Sequence, residues 1–183
     1  IYLAKRKSIS FEEKELLDHA ILNEFKKIDL TTVKCIHLYL PIIAQNECNT
    51  YPIIEYIQKN HPQINIALPK ANFENGHMEA LLFNIGTPLV INNLGIAEPI
   101  DGEIIDPKAI DMIICPLLAF DLKGNRVGYG KGFYDRFLKQ CKADVIKLGI
   151  SYFEPVESIS DFNEFDLPLS SCITPTQNYF FGA

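Results

Sequence analysis

The sequence predicts an α/β domain of three layers, an open and mostly parallel sheet with helices on both faces. Two observations carry this. Apolar runs of strand length (residues 34–40, 64–68, 110–115 and 145–150) alternate with segments of helical character. The first two runs are separated by a single helix, and strand–helix–strand is the pattern of a parallel crossover. The chain of 183 residues is long enough for one domain with a real core, taken here as residues 1–183.

The elements follow in order. Lys5, Arg6 and Lys7 precede the first helix. A solvated basic turn is the simpler reading and a phosphate-facing arm the alternative. Ser10-Phe-Glu-Glu13 is a capping box, and Leu16, Leu17, Ala20, Ile21, Phe25 and Ile28 keep one stripe, so residues 11–28 read as an amphipathic helix. Residues 34–40 read as a buried strand, with His37 a satisfied sheet residue rather than a catalyst. A loop at 41–49 carries Glu47. Thr50 caps a helix over 51–60, with Pro52 in its first turn. The strand at 64–68 ends at Pro69-Lys70, and 77–83 suggests an antiparallel or edge strand after the turn Asn75-Gly76. Residues 84–109, rich in Gly, Pro and Asn, read as an irregular excursion whose Gly95-Ile-Ala-Glu-Pro99 lines a pocket or crosses the surface. The strand at 110–115 stops at Pro116, a helix covers 133–141, and the strand at 145–150 leads into a tail punctuated by Pro155, Pro168 and Pro175.

In such Rossmann-like sheets ligands bind beyond the carboxyl ends of the strands. The loops after 34–40, 110–115 and 145–150 should therefore share one rim. The richest of them runs from Cys115 to Leu138, with Gly124, Gly128, Gly130 and Gly132 among Arg126, Lys131, Asp121 and Asp135. Gly128-Tyr129-Gly130-Lys131-Gly132 opens a helix, a turn that lets backbone approach a phosphate closely. It is not a Walker loop, because Gly132 stands where Ser or Thr is required. Nor is it a dinucleotide fingerprint, because Phe133 stands at the third glycine. Arg126 offers a fork and Lys131 a point charge to phosphate oxygens. Asp135, in the first helical turn, either favours the helix terminus or ligates Mg²⁺ beside bound phosphates. A second carboxylate must come from elsewhere: Asp121 is the candidate inside the loop, and Asp166 the tail candidate, with Asp161 and Glu164 close by.

The totals exclude several classes. A net charge of −6 disfavours non-specific nucleic-acid binding. No apolar run approaches the roughly 20 residues of a membrane span. Five cysteines without CxxC spacing read as reduced thiols in a cytoplasmic protein. The first residue is Ile1 rather than Met, so the expected N-terminus lies ahead of this numbering.

The run Pro116-Leu-Leu-Ala-Phe-Asp121 through Arg126-Val-Gly-Tyr-Gly-Lys-Gly-Phe-Tyr-Asp135-Arg resembles the signature of the 5-formyltetrahydrofolate cyclo-ligases. Ala67-Leu-Pro-Lys70, Met78, Leu94-Gly-Ile-Ala-Glu-Pro99 and Asp166-Leu-Pro fall in the expected order, so the resemblance covers nearly the whole chain. It implies a sheet related to the sugar-phosphate isomerase and CoA-transferase type. It also implies conversion of 5-formyltetrahydrofolate and ATP, with Mg²⁺, into 5,10-methenyltetrahydrofolate, ADP and phosphate. By the same resemblance, Arg126, Val127, Gly128, Tyr129, Gly130, Lys131, Gly132, Phe133 and Tyr134 contact ATP, with Arg126, Lys131 and Tyr134 catalytic. Leu40, Glu47 and the stretch Tyr129 to Phe133 border the folate, with or without a polyglutamate tail, and Asp135 with Asp166 hold Mg²⁺. Asp121 then becomes a turn residue. A Lys and Arg pair that helps hold ATP in the family is expected before Ile1. A monomer is expected. Two other readings stay open: a sugar-phosphate isomerase-like enzyme without Mg²⁺, and a non-catalytic nucleotide- or folate-binding protein.

Overall fold

The computed structural model describes residues 1–93, 95–160 and 166–182. In chain order the helices are α1 (Tyr2–Lys7), α2 (Phe11–Phe25), α3 (Tyr51–Asn60) and α4 (Phe133–Leu138). The strands are β1 (Cys35–His37), β2 (Asn65–Asn72), β3 (His77–Phe83), β4 (Leu89–Ile91), β5 (Ala97–Pro99), β6 (Ile104–Ile105), β7 (Met112–Cys115), β8 (Ala119–Phe120), β9 (Arg126–Val127), β10 (Ile146–Ile150), β11 (Ser171–Ile173) and β12 (Asn178–Phe180). The main sheet runs β12-β11-β10-β7-β1-β2-β3-β6. Its centre, from β11 to β2, is parallel, and β12, β3 and β6 add antiparallel edges.

Alternation along the strands explains the layers. Ile36, Ile66, Leu68, Met112, Ile114, Leu148 and Ile150 share one core with Ile21 and Phe25 of α2 and Ile53, Ile54 and Ile57 of α3. The residues between them, Cys35, Ala67, Ile113 and Cys115, share the other core with Phe137 and Leu138 of α4. Period-two side chains thus feed both faces, and each face is covered. This is the expected α/β sheet with helices on both sides.

Several boundaries differ from expectation for identifiable reasons. Strand pairing in β1 stops at His37, although Leu38, Tyr39 and Leu40 stay buried; the chain leaves the ladder with one last bond, Leu38 N–H to the Ala67 carbonyl at 3.0 Å. β2 continues through Pro69 because that residue lies beyond the last β1 partner and faces β3 instead, where a missing N–H interrupts no β1 ladder bond. The segment 84–109 is not wholly irregular: β4 and β5 form a hairpin, and β6 joins the sheet edge. Glu98 pins that hairpin by accepting the Ala71 N–H at 3.0 Å. Thr50 does not cap α3; its hydroxyl donates to the Tyr39 carbonyl at 2.6 Å, and Asn49 accepts the Tyr51 N–H instead. Helix α2 ends at Phe25 and α4 at Leu138, both short of the expected ends, where i→i+3 bonds tighten the chain into turns.

Candidate active site

Three loops leave the carboxyl ends of β1, β7 and β10 and meet at one rim, as the topology requires. The β1 loop delivers Glu47. Its approach is fixed by Asn46, a left-handed residue (φ 53°) whose side-chain amide donates to the Arg6 and Ile9 carbonyls at 2.9 and 3.1 Å. Glu47 is only 3% exposed. Its Oε2 accepts the Ile42 N–H at 2.6 Å, and its Oε1 accepts the Tyr129 hydroxyl at 2.5 Å. Burial raises the Glu47 pKa, and these two hydrogen bonds and the Arg6 charge offset part of the rise.

Arg6 corrects the reading of residues 5–7 as a solvated basic turn. It lies on α1, 4% exposed, while Lys5 and Lys7 are exposed. Its Nε donates to the Gln45 carbonyl at 2.9 Å, its Nη1 to the Leu117 carbonyl at 3.2 Å, and its Nη2 to the Tyr129 hydroxyl. Nη2 lies 4.0 Å from Glu47 Oε1. Arg6, Tyr129 and Glu47 therefore form one chain joining α1, the glycine loop and the β1 loop. The only sequence signal for Arg6 is spacing: Tyr2, Arg6 and Ile9 fall on one helical stripe, and Tyr2 packs on Phe153. A second cluster stands behind Glu47. The Tyr152 hydroxyl lies 2.5 Å from Asp18 Oδ1 and 3.2 Å from the Glu47 carbonyl, and Asp18 also accepts from Lys14 and the Asn49 N–H. Asp18 and Tyr152 have no motif to mark them in the sequence.

The β7 loop is built on Asp121, which is fully buried. It accepts from the Lys123, Asn125 and Ile159 amides and the Asn125 side chain, so it shapes the turn as expected of it after the resemblance. Burial works to raise its pKa, but these bonds outweigh it and the net shift is downward. Arg126 and Val127 pair with Phe120 and Ala119 as a short ladder. The Arg126 guanidinium is turned inward: Nη1 donates to the Leu167 carbonyl at 2.5 Å and Nη2 to Asp135 Oδ1 at 2.7 Å. Leu167 N–H also donates to Asp135, at 3.4 Å, so the tail residue beside Asp166 docks at the start of α4. Asp166 precedes Leu167 in the chain, so its backbone lies next to this contact. The rival tail carboxylates Asp161 and Glu164 lie outside the described residues, as does Leu94.

Past Val127 the backbone turns through Gly130 (φ 75°) and Gly132 (φ 66°) into α4. Lys131 is exposed at the turn. Lys131 and Phe133 line a groove of about 490 Å³ whose other walls are Phe73, Gly76, Asn92, Asn93 and Arg136. Arg136 ties the groove together, donating to the Gly76 carbonyl at 2.9 Å and the Lys131 carbonyl at 2.8 Å. Leu40 lies in the core beneath the β1 loop, 1% exposed. Tyr134 is placed differently from a loop catalyst: its hydroxyl is buried and has no partner among the described residues, with its ring 6.0 Å from His37. His37 is buried but not satisfied, because neither ring nitrogen has a partner among the described residues, and burial pushes its pKa down to about 3. All five cysteines are free, and burial raises each thiol, Cys35, Cys115 and Cys141 to about 11. None is a ready nucleophile.

Among the described residues no cluster of three or more His, Cys, Asp or Glu side chains could hold a metal alone. Two carboxylates suit Mg²⁺, which fills its remaining positions with water and phosphate oxygens. Asp135 keeps about a quarter of its side chain exposed (24%) although its Oδ1 is paired with Arg126, so one carboxylate at the start of α4 stays open to such an ion. No helix among the described residues is long and apolar enough to cross a membrane.

Comparison with known proteins gives consistent matches. The sequence pattern of the 5-formyltetrahydrofolate cyclo-ligase family matches residues 3–175. The chain is 29% identical over 180 residues to a 5-formyltetrahydrofolate cyclo-ligase of Mycoplasma genitalium, covering 94% of this chain and 93% of that protein. Among solved structures, the NMR structure of Aquifex aeolicus 5,10-methenyltetrahydrofolate synthetase superposes with a TM-score of 0.83 at 30% identity, covering 100% of this chain and 90% of that one. A 5,10-methenyltetrahydrofolate synthetase from Mycoplasma pneumoniae gives 0.73 at 27% identity, covering 94% and 93%.

Proposed function

The chain belongs to the 5-formyltetrahydrofolate cyclo-ligase family, and on that premise we propose that it closes 5-formyltetrahydrofolate to 5,10-methenyltetrahydrofolate at the expense of ATP. The observation that carries the reading is the meeting of a buried carboxylate with a phosphate-type glycine loop: Glu47 and Tyr129 share a hydrogen bond, and Lys131 stands exposed two residues on. A pterin offers ring N–H and amino donors, and an ionised Glu47 accepts both. Residues 126–134 then border the nucleotide, with Lys131 on its phosphates.

The chemistry asks the protein mainly to position two substrates. A formyl oxygen is a poor leaving group. Transfer of the γ-phosphoryl to it gives an imidate phosphate and ADP. N10 of the folate attacks the formyl carbon, loses its proton, and phosphate departs as the ring closes. Lys131 neutralises charge on the transferring group, and the loop amides hold its oxygens. Arg126 acts through Asp135, which it orients from the interior side. Asp135 and Asp166 would hold Mg²⁺, which offsets phosphate charge when bound. Tyr134 contributes packing beneath the loop. The five free thiols suit a reducing compartment such as the cytoplasm. We take the protein as a single-domain monomer that accepts the folate with or without a polyglutamate tail.

The test is direct. Protein, 5-formyltetrahydrofolate, ATP and Mg²⁺ should together give methenyl product, followed by its near-ultraviolet absorbance. Omission of ATP or of Mg²⁺ should abolish it. A folded protein that yields no product with all components present overturns the reading. Lys131→Ala should lower turnover at least tenfold with little change in melting temperature, since the side chain is exposed and the effect is on transition-state charge.

A further inference from the structure

The Glu47 carboxylate that the proposed function assigns to the pterin already has partners in the protein itself. The Tyr129 hydroxyl donates to Oε1 at 2.5 Å, and the Ile42 N–H donates to Oε2 at 2.6 Å. A backbone amide cannot leave, but a loop tyrosine can. The Tyr129 neighbours favour such movement. Gly128 and Gly130 flank it, and a Cβ added at either would meet nothing within 4 Å, so the chain on both sides borders open space. The loop is held at its far end instead, where Arg136 grips the Lys131 carbonyl. Arg6 is anchored through Nε and Nη1 by the Gln45 and Leu117 carbonyls, while its Nη2 donates to the Tyr129 hydroxyl and lies 4.0 Å from Glu47. Departure of Tyr129 breaks its hydroxyl's contacts to both Glu47 and Arg6, and frees Nη2 to keep a compensating charge beside Glu47. A phenol donating to a carboxylate offers the same interaction as a pterin N–H or amino group, at the same oxygen.

We infer that Tyr129 is a substrate-gating residue: its hydroxyl stands in for the pterin on Glu47 in the free protein, and folate must displace it to bind. Displacement moves the part of the loop between Gly128 and Gly130 while Arg136 keeps hold of the Lys131 carbonyl, and so reshapes the glycine loop for the nucleotide. Folate and ATP then assist each other, each raising the affinity for the other by the same factor. The idea rests on the assignment of Glu47 to the pterin, and goes beyond it in making one loop residue the link between the two substrate sites.

The experiment compares wild type, Tyr129→Phe and Glu47→Gln by calorimetric titration with 5-formyltetrahydrofolate alone, with a non-hydrolysable ATP analogue alone, and with each in the presence of the other. Tyr129→Phe keeps the ring and removes the competing donor. It should bind folate about tenfold more tightly than wild type without nucleotide, the scale of one hydrogen bond to a charged group. It should also lose the mutual assistance that wild type shows. Equal or weaker folate binding by a folded Tyr129→Phe, with Glu47→Gln clearly weakened, overturns the gate and leaves the Glu47 assignment standing. Wild-type affinity in Glu47→Gln overturns that assignment and the gate with it. A readout that needs no variant is the sequentially assigned Tyr129 ring resonance in wild type: it should shift on adding folate alone, and no shift at saturating folate overturns the proposal.

Discussion

Glu47 is a glutamate whose surroundings raise its pKa above the ordinary value of 4.5, chiefly because burial strips water from the charge. The sign of the consequence is fixed. Falling pH protonates Glu47 before exposed glutamates, and a protonated carboxyl accepts poorly from pterin donors. Folate affinity should therefore be full above the raised pKa and fall as pH drops through it, while Glu47→Gln should show no such inflection. The same substitution should weaken folate binding about ten- to a hundredfold, the range for hydrogen bonds to charged groups. Tyr134 makes the opposite case. Its hydroxyl is buried without a partner among the described residues, a condition that costs stability. Tyr134→Phe should melt at the same or higher temperature and retain turnover within about threefold; a loss of a hundredfold would return the hydroxyl to the chemistry. The family resemblance assigns Tyr134, on the helix after the glycine loop, to ATP and the chemistry, but which way a helical side chain points depends on what packs beneath it, here His37.

Among the elements, β10 is closely fitted against the β7 loop. A Cβ at Gly149 would sit 2.7 Å from both Leu117 Cδ2 and Leu169 Cδ1, and 2.9 Å from Cys172 Sγ. All three are side-chain ends, but each is buried in the core and can yield only by repacking its neighbours, so Gly149→Val should cost about 1–3 kcal/mol, read as a lower denaturant midpoint at unchanged slope. Because the Leu117 carbonyl also accepts from Arg6, the strain should reach the site and raise the Michaelis constant for folate. Most elements were legible in the sequence. The apolar runs marked β1, β7 and β10 because both faces of a central parallel strand are buried. The hairpin of β4 and β5 was not, because its stability comes from Glu98 and Lys70 joining it to β2 and not from its own composition.

For the whole molecule, two properties follow from how the loops meet. Ligands that join separate loops should stabilise the domain by mass action, about 2.7 kcal/mol at a hundredfold excess over the dissociation constant. For a domain of this size that is a rise of roughly 5–10 °C in melting temperature, measurable by scanning calorimetry with folate, with the ATP analogue, and with both. Acid should act the other way. Asp111 and Asp121 have lowered pKa values: hydrogen bonds from Lys142 and the Lys34 and Cys35 amides outweigh the burial of Asp111, as the bonds to Asp121 outweigh its own burial. Their contribution is complete above the ordinary carboxylate range and is lost as pH falls through the lowered values. Asp111→Asn and Asp121→Asn should therefore flatten the acid limb of the stability curve.

The sequence by itself determined the layered sheet, the order of the central elements, the glycine loop and the family. Those properties are written in periodicity and in contiguous motifs, which depend on neighbours along the chain. Only the tertiary structure decided that Arg6 is buried against Tyr129 and Glu47, that Arg126 faces Asp135, and that the Tyr134 hydroxyl turns away from the loop. Arg6 and Tyr129 are separated by more than a hundred residues, as are Asp18 and Tyr152. A charged side chain is solvated or paired according to what the fold sets beside it, and no local pattern carries that information.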